Sequence, residues 1–426
     1  MYVLGRLSRA VAWMGVSWSI LSGQAIGAEL SEFERAFDEN DPVKAESYSL
    51  EHSLAIQTMY EHARLPPGGT IRRAERYGVE ARLDLNGSCE QGWCRGARMV
   101  LMPRLWLGRE DQPGYLPTQK PDWLPQAYVL FPWGDGEVGA GRYLLGWGPS
   151  MTYSPTNRLF PDNGSISPRR EVPGKPMAFA SFQLSGRGRV QAVIADPRLD
   201  SAVGIVRKDG PFVLLRSEWN WYAPTVATLG VVAGGGGAFR PYVGAYGELG
   251  VTDSLTVSAE MAASDGYAKP DGQGNLLRQD QTGKVRWDGT LGIRHGFTSG
   301  AEVGVELMYN GYAMTSEEQA SMTWSSMQSA GHKPSRNRAV HPYEQRTYLL
   351  LQTSWPKMFG DRRWGFTGRW LQGLERDTSD AFFELSYSPS DEATLYVGLS
   401  AGRVQRELKS VRGSPRSWYA AIKVNF

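Results

Sequence analysis

The chain has 426 residues, and its 46 Lys+Arg nearly cancel 44 Asp+Glu to leave a net charge of +2. That balance lacks the basic excess of a nucleic-acid protein, so no nucleic-acid partner is expected. With 50 Gly, 15 Trp, 19 Tyr and a mean hydropathy of −0.39 it is too polar for a helical membrane bundle and too rich in Gly and aromatics for a helical soluble protein.

The first segment, residues 1–28, reads as an export signal. Arg6 and Arg9 precede an uncharged stretch from Ala10 to Ala28, which ends in the small residues Ala25-Ile26-Gly27-Ala28. Residues 29–48 are acidic and polar and read as a short periplasmic leader, leaving 49–426 as the main domain. No later stretch supplies a spanning helix: the longest uncharged one, Trp219–Phe239, carries Pro224 and the run Gly234–Gly237.

Cys89 and Cys94 lie in NGSCEQGWCRG, bracketed by turn residues. In an exported chain they are expected to form a disulfide that stiffens a hairpin turn and performs no chemistry. No third ligand stands near, so no metal is expected.

From here on the chain alternates with a period of two. Val79, Ala81, Leu83 and Leu85 oppose Glu80, Arg82 and Asp84, and Met99, Leu101, Leu105 and Leu107 oppose Arg98 and Arg104. The pattern recurs at Val213–Trp221, Leu255–Met261, Ala301–Asn310 and Arg363–Trp370. Runs of about 9–11 residues fit tilted strands crossing a bilayer, and several apolar rows end in Trp or Tyr, as interface girdles do.

At the C-terminus, Trp418, Ala420, Ile422, Val424 and Phe426 form one apolar row. This ending resembles bacterial outer-membrane β-barrels. The resemblance implies localisation in the outer membrane, contact with its lipid, and recognition of Phe426 by the barrel-insertion machinery. The expected fold is all-β, a single transmembrane antiparallel β-barrel of about 16–18 strands with long extracellular loops. At that size side chains cannot fill the interior, so a lumen is expected.

The segment GRYLLGWGPSMTYSPTNRLFPDN, starting at Gly141, resembles large porin-like and polysaccharide-exporter barrels, including the alginate-export type. That resemblance implies an outer-membrane channel for a hydrophilic anionic solute, with an exopolysaccharide as cargo and periplasmic polysaccharide-secretion proteins as partners. The alternatives are a general diffusion porin for small solutes and a capsule-attachment or binding barrel without transport.

Residues Trp147–Pro176 form a long Pro-rich connection in which Arg158, Arg169, Arg170 and Lys175 outnumber Asp162 and Glu171. It is expected either to fold into the lumen as a positive constriction or to lie as a solvated surface loop. The predicted inward rows carry Arg98, Arg104, Arg142, Arg216, Arg346, Arg363, Arg369 and Lys423, against Glu218, Glu260, Glu302, Glu306, Glu344 and Glu384. That count gives a mixed lining with a slight basic bias. Two further polar loops, Met314–Pro342 and Ala268–Lys284, are expected outside the cell.

Catalysis finds no support. GxSxG, HExxH and P-loop patterns are absent, and of the five histidines, His52, His62, His295, His332 and His341, neither His295 nor His341 has a partner that spacing picks out. No catalytic residue and no cofactor is expected.

Overall fold

The computed structural model describes residues 48–64, 73–90, 94–111, 122–151, 153–160, 172–195, 211–222, 225–236, 239–264, 269–270, 276–277, 285–311, 313, 345–375, 378–403 and 416–426. The expected signal and leader, Arg169, Arg170, Glu344 and most of the two further loops lie outside them.

Eighteen antiparallel strands follow one another around a single closed barrel. They are β1 (Tyr48–Arg64), β2 (Arg73–Cys89), β3 (Arg98–Met102 continuing as Arg104–Asp111), β4 (Gln126–Trp133), β5 (Gly136–Tyr143) and β6 (Lys175–Ser185). Next come β7 (Gly188–Ala195), β8 (Phe212–Trp221), β9 (Ala227–Gly236), β10 (Phe239–Gly250), β11 (Leu255–Ser264) and β12 (Arg286–Gly296). The last six are β13 (Glu302–Asn310), β14 (Thr347–Trp355), β15 (Trp364–Gly373), β16 (Thr378–Tyr387), β17 (Ala393–Arg403) and β18 (Arg416–Asn425). Closure is direct: β18 pairs with β1, with Arg64 opposite Arg416 and Ala55 opposite Asn425.

β3 is broken by Pro103, which has no N–H to give a ladder. Below the break it pairs with both β2 and β4; above it, the Arg104 N–H turns to the carbonyl of Trp123.

The faces are inverted relative to a soluble protein. Leu107, Val213, Val231, Val243, Leu291 and Leu399 are exposed, while Glu61, Arg76, Glu80, Glu260, Asp288 and Glu306 are buried. Register explains the division. Gln57 sits opposite Glu80 and Lys423, Glu260 opposite Tyr246 and Thr290, so one parity of every strand faces inward and the other outward. An apolar exterior around a polar interior, with every strand partnered, is what a bilayer requires of a spanning sheet. This is the architecture of a transmembrane β-barrel, whose strands do the crossing.

The two rims differ. One carries short connections such as 134–135, 186–187, 251–254 and 297–301, together with Tyr48 and Phe426, the first and last described residues; the other receives the strand ends that flank 144–174, 265–285 and 311–346. Short turns mark the periplasmic rim and long loops the extracellular one. The periplasmic connection 90–97 brings Cys89 and Cys94 to a Cα separation of 5.8 Å with their sulfurs joined.

Candidate functional site: a loop docked inside the lumen

The connection after β5 turns inward. Leu145, Trp147, Leu159 and Phe160 pack on Phe179 of β6, Leu214 of β8, Val232 of β9 and Tyr242 of β10. Met151 and Tyr153 pack on Met308, Tyr348 and Leu371, which belong to β13, β14 and β15. Residues 145–151 and 153–160 thus pack along the arc from β6 to β15.

Three wall carboxylates anchor it. Glu260, midway along β11, accepts hydrogen bonds from Ser150 Oγ at 2.6 Å, Thr156 N–H at 2.9 Å and the Thr156 hydroxyl at 2.5 Å, and one more from Ser154. Glu306 on β13 accepts the Met151 N–H at 2.7 Å. Asp288 on β12 takes the Tyr153 hydroxyl at 2.8 Å and the Arg158 guanidinium at 3.0 Å. A buried carboxylate is tolerable when its lone pairs are filled in this way.

Local sequence shapes the loop for this role. Within Ser154-Pro155-Thr156-Asn157, Ser154 Oγ accepts the Asn157 N–H at 3.1 Å, and Asn157 accepts the Phe160 N–H at 2.9 Å while donating to the Leu145 carbonyl at 3.0 Å. These side-chain-to-backbone bonds satisfy groups that no ladder reaches. Gly148 has φ +85°, and a Cβ there would stand 2.6 Å from a Glu260 oxygen. Gly304, on the wall beneath, leaves room for Met151.

Several of the expected lining residues do face inward. Arg104 is buried and contacts Asp84 at 2.6 Å. Arg216 lies over the Trp147 ring at 5.4 Å, Glu218 accepts the Tyr246 hydroxyl at 2.5 Å, and Arg369 donates to Gln352 at 2.8 Å. Arg98, its side chain 60% exposed, reaches Glu137 at 3.1 Å, and Arg189 reaches the same carboxylate at 2.7 Å. Lys175 stands at the head of β6, over Phe160 at 5.3 Å.

Others sit elsewhere. Arg142 pairs across β4 with Ala127, on the outward parity, because Glu137, Gly139, Gly141 and Tyr143 take the inward one. Its guanidinium meets Asp122, at the extracellular end where an outward charge escapes hydrocarbon. Arg346 is exposed ahead of β14, its N–H donating to Glu375. Arg363 lies in a periplasmic turn, where its hydrogen bonds hold the Asp361 carboxyl below the usual range. Arg158 is no free lumenal cation: it is buried and neutralised by Asp288. The lining is more mixed than that count, since Glu61, Glu80, Asp84, Glu137 and Asp288 also occupy inward positions, as do Arg76, Arg82 and Arg189. Alternation puts Glu80 and Asp84 on the polar face of β2, outside the residues counted as lining, while Glu61, Glu137 and Asp288 lie in strands beyond the alternating runs followed in the sequence.

No protein-family model and no curated protein matches the sequence. Its fold matches solved structures. OccK9 (OpdG) of Pseudomonas aeruginosa aligns with a TM-score of 0.55 at 13% identity, over 89% of this chain and 98% of its own. A BenF-like porin from Pseudomonas fluorescens Pf-5 aligns at 0.52 and 11%, and OccK2 (OpdF) of P. aeruginosa, solved in complex with glucuronate, at 0.51 and 13%; both matches cover 89% of this chain and 98% of the other. At these identities the likeness is one of fold. It supports an outer-membrane barrel and lends nothing to the alginate-export type that the 141–163 segment suggested.

Proposed function

We propose that this barrel is a porin for small hydrophilic solutes in which anions are favoured. The observation that carries the reading is how the lumenal charges are spent. Glu260, Asp288 and Glu306 are filled by the docked loop, whereas Arg98 and Arg189 share a single carboxylate, Glu137. A passing anion therefore meets arginines whose charge is half-compensated, beside a wall whose acids are occupied. A loop held at mid-height also favours a small solute over a polymer. The glucuronate bound by the similarly folded OccK2 is such a solute, a sugar carboxylate.

Planar-bilayer recording tests this. In a KCl gradient the reversal potential of the full barrel is expected to take the sign of chloride selectivity, and Arg98→Gln with Arg189→Gln should shift it toward zero. Monomeric uronates should block from either side. Cation selectivity in the parent protein would overturn the reading, and passage of uronate polymer without monomer block would favour exopolysaccharide export instead.

A further inference from the structure

The outer face of β18, β1 and β2 carries a second charged arrangement that the lumen does not use. Register sets Arg416, Arg64 and Arg73 abreast on three neighbouring strands, since Arg64 is opposite Arg416 on one side and Arg73 on the other. All three positions belong to the outward parity at the extracellular ends. Like charges directly opposite destabilise a strand pair. Arg73 and Arg416 are exposed, and among the described residues no carboxylate pairs with either.

One row lower the face becomes aromatic. Trp418 lies against Tyr60 at 5.0 Å with the rings tilted, and His62, beside Trp418, engages Glu75 at 3.3 Å. Below these stand Ile422, Val79 and Leu107, then Val424, Ile56 and Leu105. From Arg416 to the foot of β18 is 10 residues. At about 3.4 Å each and a tilt near 40°, this spans roughly 25 Å of height, the thickness of the apolar band of such barrels. The arginines therefore stand where hydrocarbon gives way to headgroups.

We propose that this face binds the phosphorylated head of an outer-leaflet glycolipid. Its phosphates are taken by Arg73 and Arg416, and its acyl chains lie along β18, β1 and β2 beneath the Trp418–Tyr60 pair. Guanidinium suits this ligand because its planar fork takes two phosphate oxygens at once. Positions on adjacent strands lie about 4.8 Å apart, so Arg73 and Arg416 are about 10 Å from each other. One phosphate cannot span that gap from both ends, and a bisphosphorylated head fits it better.

The test is native mass spectrometry of the detergent-solubilised full barrel titrated with bisphosphorylated lipid A, its dephosphorylated form, and inorganic phosphate. The parent barrel is expected to retain bisphosphorylated lipid A one to one. Arg73→Gln with Arg416→Gln should weaken retention by about tenfold or more. Heat-modifiable gel mobility and unchanged conductance would confirm that the variant barrel is intact, and Arg73→Lys with Arg416→Lys should recover part of the loss. Equal retention by parent and Gln variant, equal retention of the dephosphorylated lipid, or full competition by inorganic phosphate would each overturn the proposal.

Discussion

Arg158 and Asp288 meet at 3.0 Å where neither is reached by water, the side chains 4% and 0% exposed. Removing one partner from such a pair leaves an uncompensated charge and costs about 3–5 kcal/mol, whereas replacing both with apolar groups is often neutral. Asp288→Asn should therefore release the loop and open residues 153–160 to proteinase K in the folded barrel, while Arg158→Met with Asp288→Leu should keep them protected. Cleavage rates of the two variants at equal enzyme decide the matter. At this scale the sequence was half legible. Arg104, Arg216 and Arg369 were placed on the inward face by simple alternation with Leu105, Leu215 and Trp370. Arg142 was not, because a charge at a strand end obeys the membrane boundary rather than the parity rule, and its partner Asp122 comes from a different connection.

Among elements, the docked loop shows what sequence pattern conveys and what it hides. Length, prolines and an excess of basic residues marked Trp147–Pro176 as functional. Nothing local names Glu260 or Glu306 as anchors, because those contacts join residues 104 to 155 positions apart. A Glu in an alternating strand reads the same whether it faces open water or a loop hydroxyl. Four hydrogen bonds to Glu260 and one to Glu306 are the loop's main polar attachment to β11 and β13. Glu260→Ala with Glu306→Ala is expected to raise single-channel conductance and its noise with little effect on the barrel itself. Conductance indistinguishable from the parent would mean that the apolar contacts of Trp147, Leu159 and Phe160 suffice to hold the loop.

For the whole molecule, the barrel was the most legible level, because period-two alternation repeated along the chain is a property of every strand and survives errors at any one of them. The inverted faces make a sharp forecast. Leu291 lies on the outward row of β12 near its middle. Leu291→Arg should cost about 2–4 kcal/mol of folding stability in lipid vesicles, as charges at the bilayer midplane do. Urea titration of refolding measures it, and a change below about 0.5 kcal/mol would place β12 away from hydrocarbon.

The seam between β18 and β1 has its own bearing on biogenesis. Its hydrogen bonds tie Ala55 to Asn425, nearly the full length of the polypeptide. No circle exists until the final residues have been synthesised and exported, and contacts so distant in sequence form slowly. Throughout that interval the oily rows of seventeen earlier strands have neither lipid nor a finished wall to hide in. A soluble escort that shields unpaired strand edges during transit is thus built into the demands of the design, and starving cells of such escorts should deplete this protein sooner than one whose ends need not meet.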